Sequence, residues 1–289
     1  ARRGLGRPDP LAWLLAAAML AWAWITVGME VLGSAGLLRV PCLLAWSCGG
    51  GVLGGWIGRP TRRRDAMAPP STVDAIPIPA ENSRRPWEWS AILAMGLSAW
   101  ALLVHAARSL MGPVQVASDA PIYHLYFAAR WWKEGTLRLI ATPFGETAAT
   151  YFPAVGDLWL SWLMAGWGSE RLAKIGQAPF VVLAGLAAWG LARRLGARSS
   201  AAVIATAWFL TSTPWVFFSF EANVDSLFVA AYLISTYFFV RLVQDQEVDD
   251  SSWFSLGLAA LAAGAAWGCK ATGAVFVPGA GLLELMRAA

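Results

Sequence analysis

The sequence predicts an all-α polytopic membrane protein of about eight spans, since apolar runs near the roughly 20 residues needed to cross a bilayer recur along its length. Two further observations carry the prediction. Hydrophobic residues make up 57% and charged residues 14% of the 289, whereas a soluble globular chain carries about 25% charged residues. Mean hydropathy is +0.52. The 18 tryptophans fit the class, because indole favours the membrane–water interface. Trp100, Trp189 and Trp208 lie well inside apolar runs and read as helix-packing bulk. The formal charge of +4 is small and dispersed, so nothing argues for nucleic acid.

By length and hydropathy, spans fall near 11–32, 38–57, 88–111, 172–195, 199–219 and 225–243. The apolar stretch 253–287 has Lys270 and Gly273 at its middle and reads as two short spans with a turn near 269–272. Residues 155–168 are too few to cross comfortably and read as interfacial or re-entrant. The first run follows Arg2, Arg3 and Arg7, as in a signal peptide, but its length and the second span close behind favour a retained anchor.

The chain divides into an N-terminal transmembrane hairpin (1–58), a linker (59–86) and a longer transmembrane region (87–289) with an outer loop at 112–154. The linker holds Pro60, Pro69, Pro70, Pro77, Pro79 and Pro86 together with Arg62-Arg63-Arg64. Proline lacks the backbone donor that a helix interior needs, so an extended cytoplasmic segment is expected there. With the N-terminus cytoplasmic, most of the 22 basic residues fall inside, Arg193, Arg194 and Arg241 among them. The remainder, Arg39, Arg108, Arg130, Lys133, Arg138, Arg171, Lys174 and Lys270, mostly flank the outer loop and hint at an anionic ligand.

In that loop Ile122, Leu125, Tyr126, Ala129 and Trp132 recur at helical spacing, with Tyr123, His124, Arg130, Lys133 and Glu134 elsewhere. The pattern predicts an amphipathic helix over 121–134, lying in the interface and ended by Gly135. Polar stretches follow at Thr142-Pro143-Phe144-Gly145-Glu146, Tyr151-Phe152-Pro153 and Gly156-Asp157-Leu158. Cys42, Cys48 and Cys269 show no metal-ligand spacing, and their odd count argues against a disulfide framework. They read as buried small hydrophobes.

Asp119 is the first acid after the 88–111 run. It stands before Ala120-Pro121, where an aspartate caps a helix, and also where a membrane-surface enzyme needs a general base. His124 lies five residues on and reads either as a hydrogen-bonding surface histidine or as a ligand. Glu221 and Asp225 are the next outer acids, and acids at the edge of spans are functional candidates. Asp225 also suits a helix cap. Lys270, flanked by apolar sequence and glycines, must snorkel, pair or meet an anion, for which a phosphate is the sharpest candidate.

These residues carry a resemblance. Asp119-x-x-x-Tyr123-His124-Leu125, then Ala128, Ala129, Trp131 and Gly135, is similar to the first outer loop of bacterial GT-C glycosyltransferases of the family 39 type. Those proteins are kin of protein O-mannosyltransferases and lipid A aminoarabinose transferases. Tyr151-Phe152-Pro153, Gly156-Asp157-Leu158 and Lys270-x-Thr272-Gly273 extend the resemblance over about 88–287. It implies a GT-C-like bundle that transfers a sugar, with inversion, from a polyprenyl-phosphate carrier on the outer face of the bacterial inner membrane. It further implies Asp119 as the base, with Lys270, Arg130 and Lys133 as candidates for binding the lipid phosphate. A divalent cation bridging carboxylate and phosphate is compatible with the scheme and is not demanded by it.

Two departures stand out. Ala120 follows the aspartate where eukaryotic relatives carry glutamate. Family members also continue with further spans, so the chain reads as the N-terminal part of such an enzyme or as a reduced relative. The competing reading is a non-catalytic membrane subunit that keeps the scaffold to bind lipid or a partner subunit. A transporter would want acids in mid-span, whereas here they sit at the outer edge.

Overall fold

The computed structural model describes residues 9–57, 89–113, 119–145, 147–213, 215, 221–244, 250–276 and 278. The predicted linker 59–86, its arginines included, lies outside the described residues, as does most of the last predicted span. The helices are α1 (Pro10–Ser34), α2 (Val40–Ile57), α3 (Trp89–Met111), α4 (Leu125–Glu134), α5 (Val155–Trp167), α6 (Arg171–Lys174), α7 (Ala178–Arg194), α8 (Ser199–Thr211), α9 (Asp225–Gln244) and α10 (Asp250–Cys269). A π-helical turn (Ala120–His124) leads into α4, and there is no strand among the described residues.

Among the described residues five segments are long and apolar enough to cross a membrane: α1, α3, α6–α7 taken together, α9, and Ser252–Cys269 within α10. Val40–Val52 of α2 and all of α8 are shorter apolar helices. The chain is thus an all-α polytopic membrane protein; α1, α3, α6–α7 and α9 sit within two residues of the predicted spans, whereas the spans predicted at 38–57 and 199–219 form shorter apolar helices, the second ending at Thr211. The turn expected near 269–272 follows the end of α10, at Ala271-Thr272.

The main core is built by α1, α7, α9 and α10, with α9 packed against both α7 and α10. Leu15, Met19, Val181, Leu227, Ile234, Tyr237 and Phe238 are fully buried there. α3 packs on α8 and leaves Trp89, Leu93, Trp100 and Leu103 exposed, as suits a helix facing lipid.

The α1–α2 hairpin is closed by a reciprocal clasp. Trp24 Nε1 donates to the Trp46 carbonyl at 3.0 Å, and Trp46 Nε1 to the Trp24 carbonyl at 2.9 Å. Their rings stack with centroids 4.7 Å apart. Only glycine allows it, because a Cβ at Gly28 or at Gly50 would fall 2.3 Å from the facing indole nitrogen.

Chain direction sorts the helix ends. The start of α1 meets the ends of α7 and α9, where Asp9 Oδ2 accepts from Tyr237 Oη at 3.0 Å and Arg241 Nη1 at 3.1 Å. The opposite end holds the end of α1, the start of α9, the end of α10 and the segment that carries α4. There Leu137 N donates to the Gly33 carbonyl, and Leu38 N to the Gly135 carbonyl, each at 3.0 Å.

Two local expectations are corrected. The helix expected over 121–134 forms and ends at Gly135 in the left-handed region (φ 72), but besides the expected Leu125 its buried residues are Ala120, Tyr123, His124, Phe127, Ala128 and Trp131. Ile122, Tyr126, Ala129 and Trp132 are only half-buried. In the π turn that leads into α4, Leu125 N–H bonds to the Ala120 carbonyl five residues back. Of the three cysteines, all free thiols, Cys269 alone is buried, while Cys42 is intermediate and Cys48 exposed on α2.

Candidate functional site

Asp119 leads into the π turn. It does not cap it, since its backbone is already helical and its side chain bonds no backbone amide. Its Oδ2 instead accepts from Tyr123 Oη at 2.7 Å. Tyr123 and the consecutive His124 are both buried, as are the consecutive Phe127 and Ala128 one turn on, so the packed face of this helix is wide enough to take neighbouring residues.

Beneath them, His124 Nδ1 meets Asp157 Oδ1 at 2.5 Å, and both side chains are buried. Asp157 lies in the first turn of α5, where a helix N-terminus favours negative charge. The His124 ring packs 4.3 Å from that of Tyr123, and Phe152 meets Tyr123 edge-on at 5.6 Å.

A second limb reaches the same place from α9 and α10. A Cβ on Gly156 would fall 2.3 Å from Val224, and one on Gly268 would fall 2.5 Å from Val155. The residue before Asp225 and the residues before Lys270 therefore lean directly on the first turn of α5. Lys270 Nζ is 2.5 Å from Asp225 Oδ1, and both side chains are about one-third exposed. Gln177, fully buried, clamps the approach to α9: its Nε2 donates to the Glu221 carbonyl at 2.9 Å and its Oε1 accepts from Ser226 N at 2.6 Å.

The phenol of Tyr123 registers the convergence. Burial raises its pKa well above the ordinary value, the hydrogen bond to Asp119 raises it further, and the charges of Asp119, Asp157 and Asp225 add to the shift. Asp119 touches the hydroxyl directly, and Asp157 stands behind it through the His124 ring.

The other predicted cations are placed elsewhere. Arg130 and Arg138 both pair with Glu134 at 2.6 Å. Lys133 is exposed and has no acid partner among the described residues. Lys174 donates to the Gly112 carbonyl and, at 3.4 Å, to that of Leu110, closing the end of α3. Among the described residues no three His, Cys, Asp or Glu side chains gather to hold a metal ion.

Asp119, His124, Asp225 and Lys270 are brought to one end of the bundle, and Glu221 stands at the head of the segment leading to Asp225. Sequence reasoning gave Tyr123, Asp157 and Gln177 no role. Asp157 did carry a signal, an acid inside the apolar run Val155-Gly156-Asp157-Leu158-Trp159-Leu160. Gln177, an uncharged residue at the head of a span, carried almost none.

Residues 156–286 match the family model described as dolichyl-phosphate-mannose-protein mannosyltransferase. The match takes in Asp157, Gln177, Glu221, Asp225 and Lys270, and begins after Asp119 and His124. With the polytopic helical fold, it supports a membrane glycosyltransferase of the GT-C type. No curated protein and no solved structure matches the chain.

Proposed function

We propose that the protein transfers a sugar from a polyprenyl-phosphate carrier to an acceptor hydroxyl, at the Asp119 end of the bundle and on the outer face of the bacterial inner membrane. The observation that supports it most is the packing of Val224 against Gly156 and of Gly268 against Val155, which brings the Asp225–Lys270 pair to the turn of α5 that holds Asp157, His124 and, through Tyr123, Asp119. An acceptor oxygen attacks the anomeric carbon from the face opposite the phosphate. Its proton passes to Asp119, the exposed carboxylate of the three, as the bond to the phosphate oxygen breaks and its electron pair leaves with the lipid phosphate. That phosphate needs a counter-charge more than an acid, and Lys270, steered by Asp225, supplies one.

A second reading, a non-catalytic scaffold that binds lipid or a partner subunit, draws on Ala120. It is buried within an apolar cluster that includes Leu160, Met164 and Ala222, surroundings that do not suit the glutamate of the eukaryotic dipeptide. Incubation of the detergent-solubilised protein with a radiolabelled polyprenyl-phosphate sugar separates the two. Transfer that is lost in Asp119→Asn supports the enzyme; lipid binding without transfer supports the scaffold.

A further inference from the structure

We propose that Tyr123 is a positioning residue: its hydroxyl aims the Asp119 carboxylate, and the buried His124–Asp157 pair braces its ring. Geometry carries the inference. A line of contacts runs outward from Asp157 (3% exposed) through His124 (6%) and Tyr123 (9%) to exposed Asp119. Each link is short: 2.5 Å between Asp157 and His124, 4.3 Å between the His124 and Tyr123 rings, and 2.7 Å from the phenol to Asp119. Phe152 closes the other side of the phenol ring.

The arrangement answers a need that Asp119 itself creates. An aspartate that does not cap its helix has two free side-chain torsions, and an exposed carboxylate would sample several directions. A rigid donor four residues on, held by packing on both faces, limits it to one. The phenol is suited to this because burial and the surrounding acids keep its proton on, so it remains a donor across the working pH range. The titratable and charged groups facing it are Asp119 and His124 from its own turn, Asp157 from α5 and Asp225 from α9, the last already joined to Lys270.

The kinetic role rests on the proposed transfer reaction, so the test has one arm that needs no turnover. In alkaline titration of the full-length protein, tyrosinate absorbance from Tyr123 is assigned by difference against Tyr123→Phe. Its onset should move to lower pH in Asp119→Asn and in Asp157→Asn, because each removes a cause that holds the proton on. An onset unmoved in both variants overturns the coupling, whether or not the protein transfers sugar.

The second arm is kinetic. Tyr123→Phe should lower kcat about 10-fold with the KM for the donor unchanged, as expected for one charge-assisted hydrogen bond used at the reacting carboxylate. In an Asp119→Asn background the same change should cost nothing more. A further loss there, of the size seen in wild type, would assign Tyr123 to packing alone and overturn the positioning role. A protein with the coupling but no transfer would refute the proposed reaction and leave Tyr123 holding Asp119 for some other ligand.

Discussion

The two ends of the bundle each hold an aspartate beside a proline-led helix start, each accepting a tyrosine hydroxyl, and the two are used in opposite ways. Asp9 caps α1, accepting from Ala12 N at 3.0 Å, and its other oxygen takes Tyr237 and two guanidiniums, Arg241 at 3.1 Å and Arg194 at 3.5 Å. One carboxylate is there outnumbered by cations. Asp119 caps nothing and accepts only Tyr123 among the described residues, and the acids at its end of the bundle, Asp157 and Asp225 with it, outnumber the one lysine there. A polar cluster whose charges close on themselves joins helices. One that leaves a carboxylate exposed, with its nearest lysine paired to another acid, is arranged to receive something else.

The sharpest way to break the comparison is to neutralise each aspartate. Asp119→Asn should reduce transfer by about 100-fold or more while the protein stays folded, because amide and carboxylate fill the same space. Asp9→Ala should leave the chemistry of the other end untouched. It should destabilise the protein by about 2–4 kcal/mol, since Arg241 is then buried without that partner. Thermal unfolding in detergent beside the transfer assay reads both. A catalytic loss in Asp9→Ala with unchanged stability would erase the distinction.

Lys270→Met comes next in size. Binding of the polyprenyl-phosphate donor should weaken by about 10-fold or more, as a phosphate in a partly dry site loses its counter-charge. Tighter binding in that variant would mean that Lys270 serves Asp225 alone.

The hairpin offers a structural control. Gly28→Val should loosen α1 from α2 by displacing the Trp46 indole, costing about 1–3 kcal/mol, the usual range for overpacking, with the donor affinity unaltered.

The smallest contrast is between the two tyrosines. Tyr237→Phe should cost about 1 kcal/mol of stability and nothing in kcat, the reverse of what Tyr123→Phe should do. Tyr123 also carries a pH signature. Its phenol keeps its proton in the fold above the ordinary value of about 10, where the unfolded chain releases it. Wild-type stability should therefore fall as pH rises past that value, and fall less in Tyr123→Phe. Equal slopes in the two proteins would mean that the phenol titrates normally.

Which end faces the cell exterior is open to direct labelling. In a background without the native cysteines, Thr147→Cys should react with an impermeant thiol reagent in intact cells, and Leu195→Cys, exposed at the Asp9 end, should not. The reverse pattern would invert the topology and remove the proposed site from the outer face.

Much of the fold was legible in the chain. Crossing a bilayer demands a minimum run of apolar residues, so hydropathy alone located α1, α3, α6–α7 and α9, and the left-handed Gly135 closed α4 where its position suggests. The acids and the lysine were conspicuous for the same reason, because charge beside apolar sequence is costly and therefore noticeable. What each charge touches was not legible. Asp9 and Asp119 share a local signature, and a helix start says nothing of whether Arg241, 232 residues away, will arrive to meet it. Asp157 meets His124 because α5 packs on α4, and Asp225 finds Lys270 because Val224 and Gly268 both rest on the first turn of α5. Periodicity and hydropathy are properties of neighbours along the chain, and they determined where the helices run. Pairing between charges is a property of neighbours in space, and only the packing of α4, α5, α9 and α10 decided that.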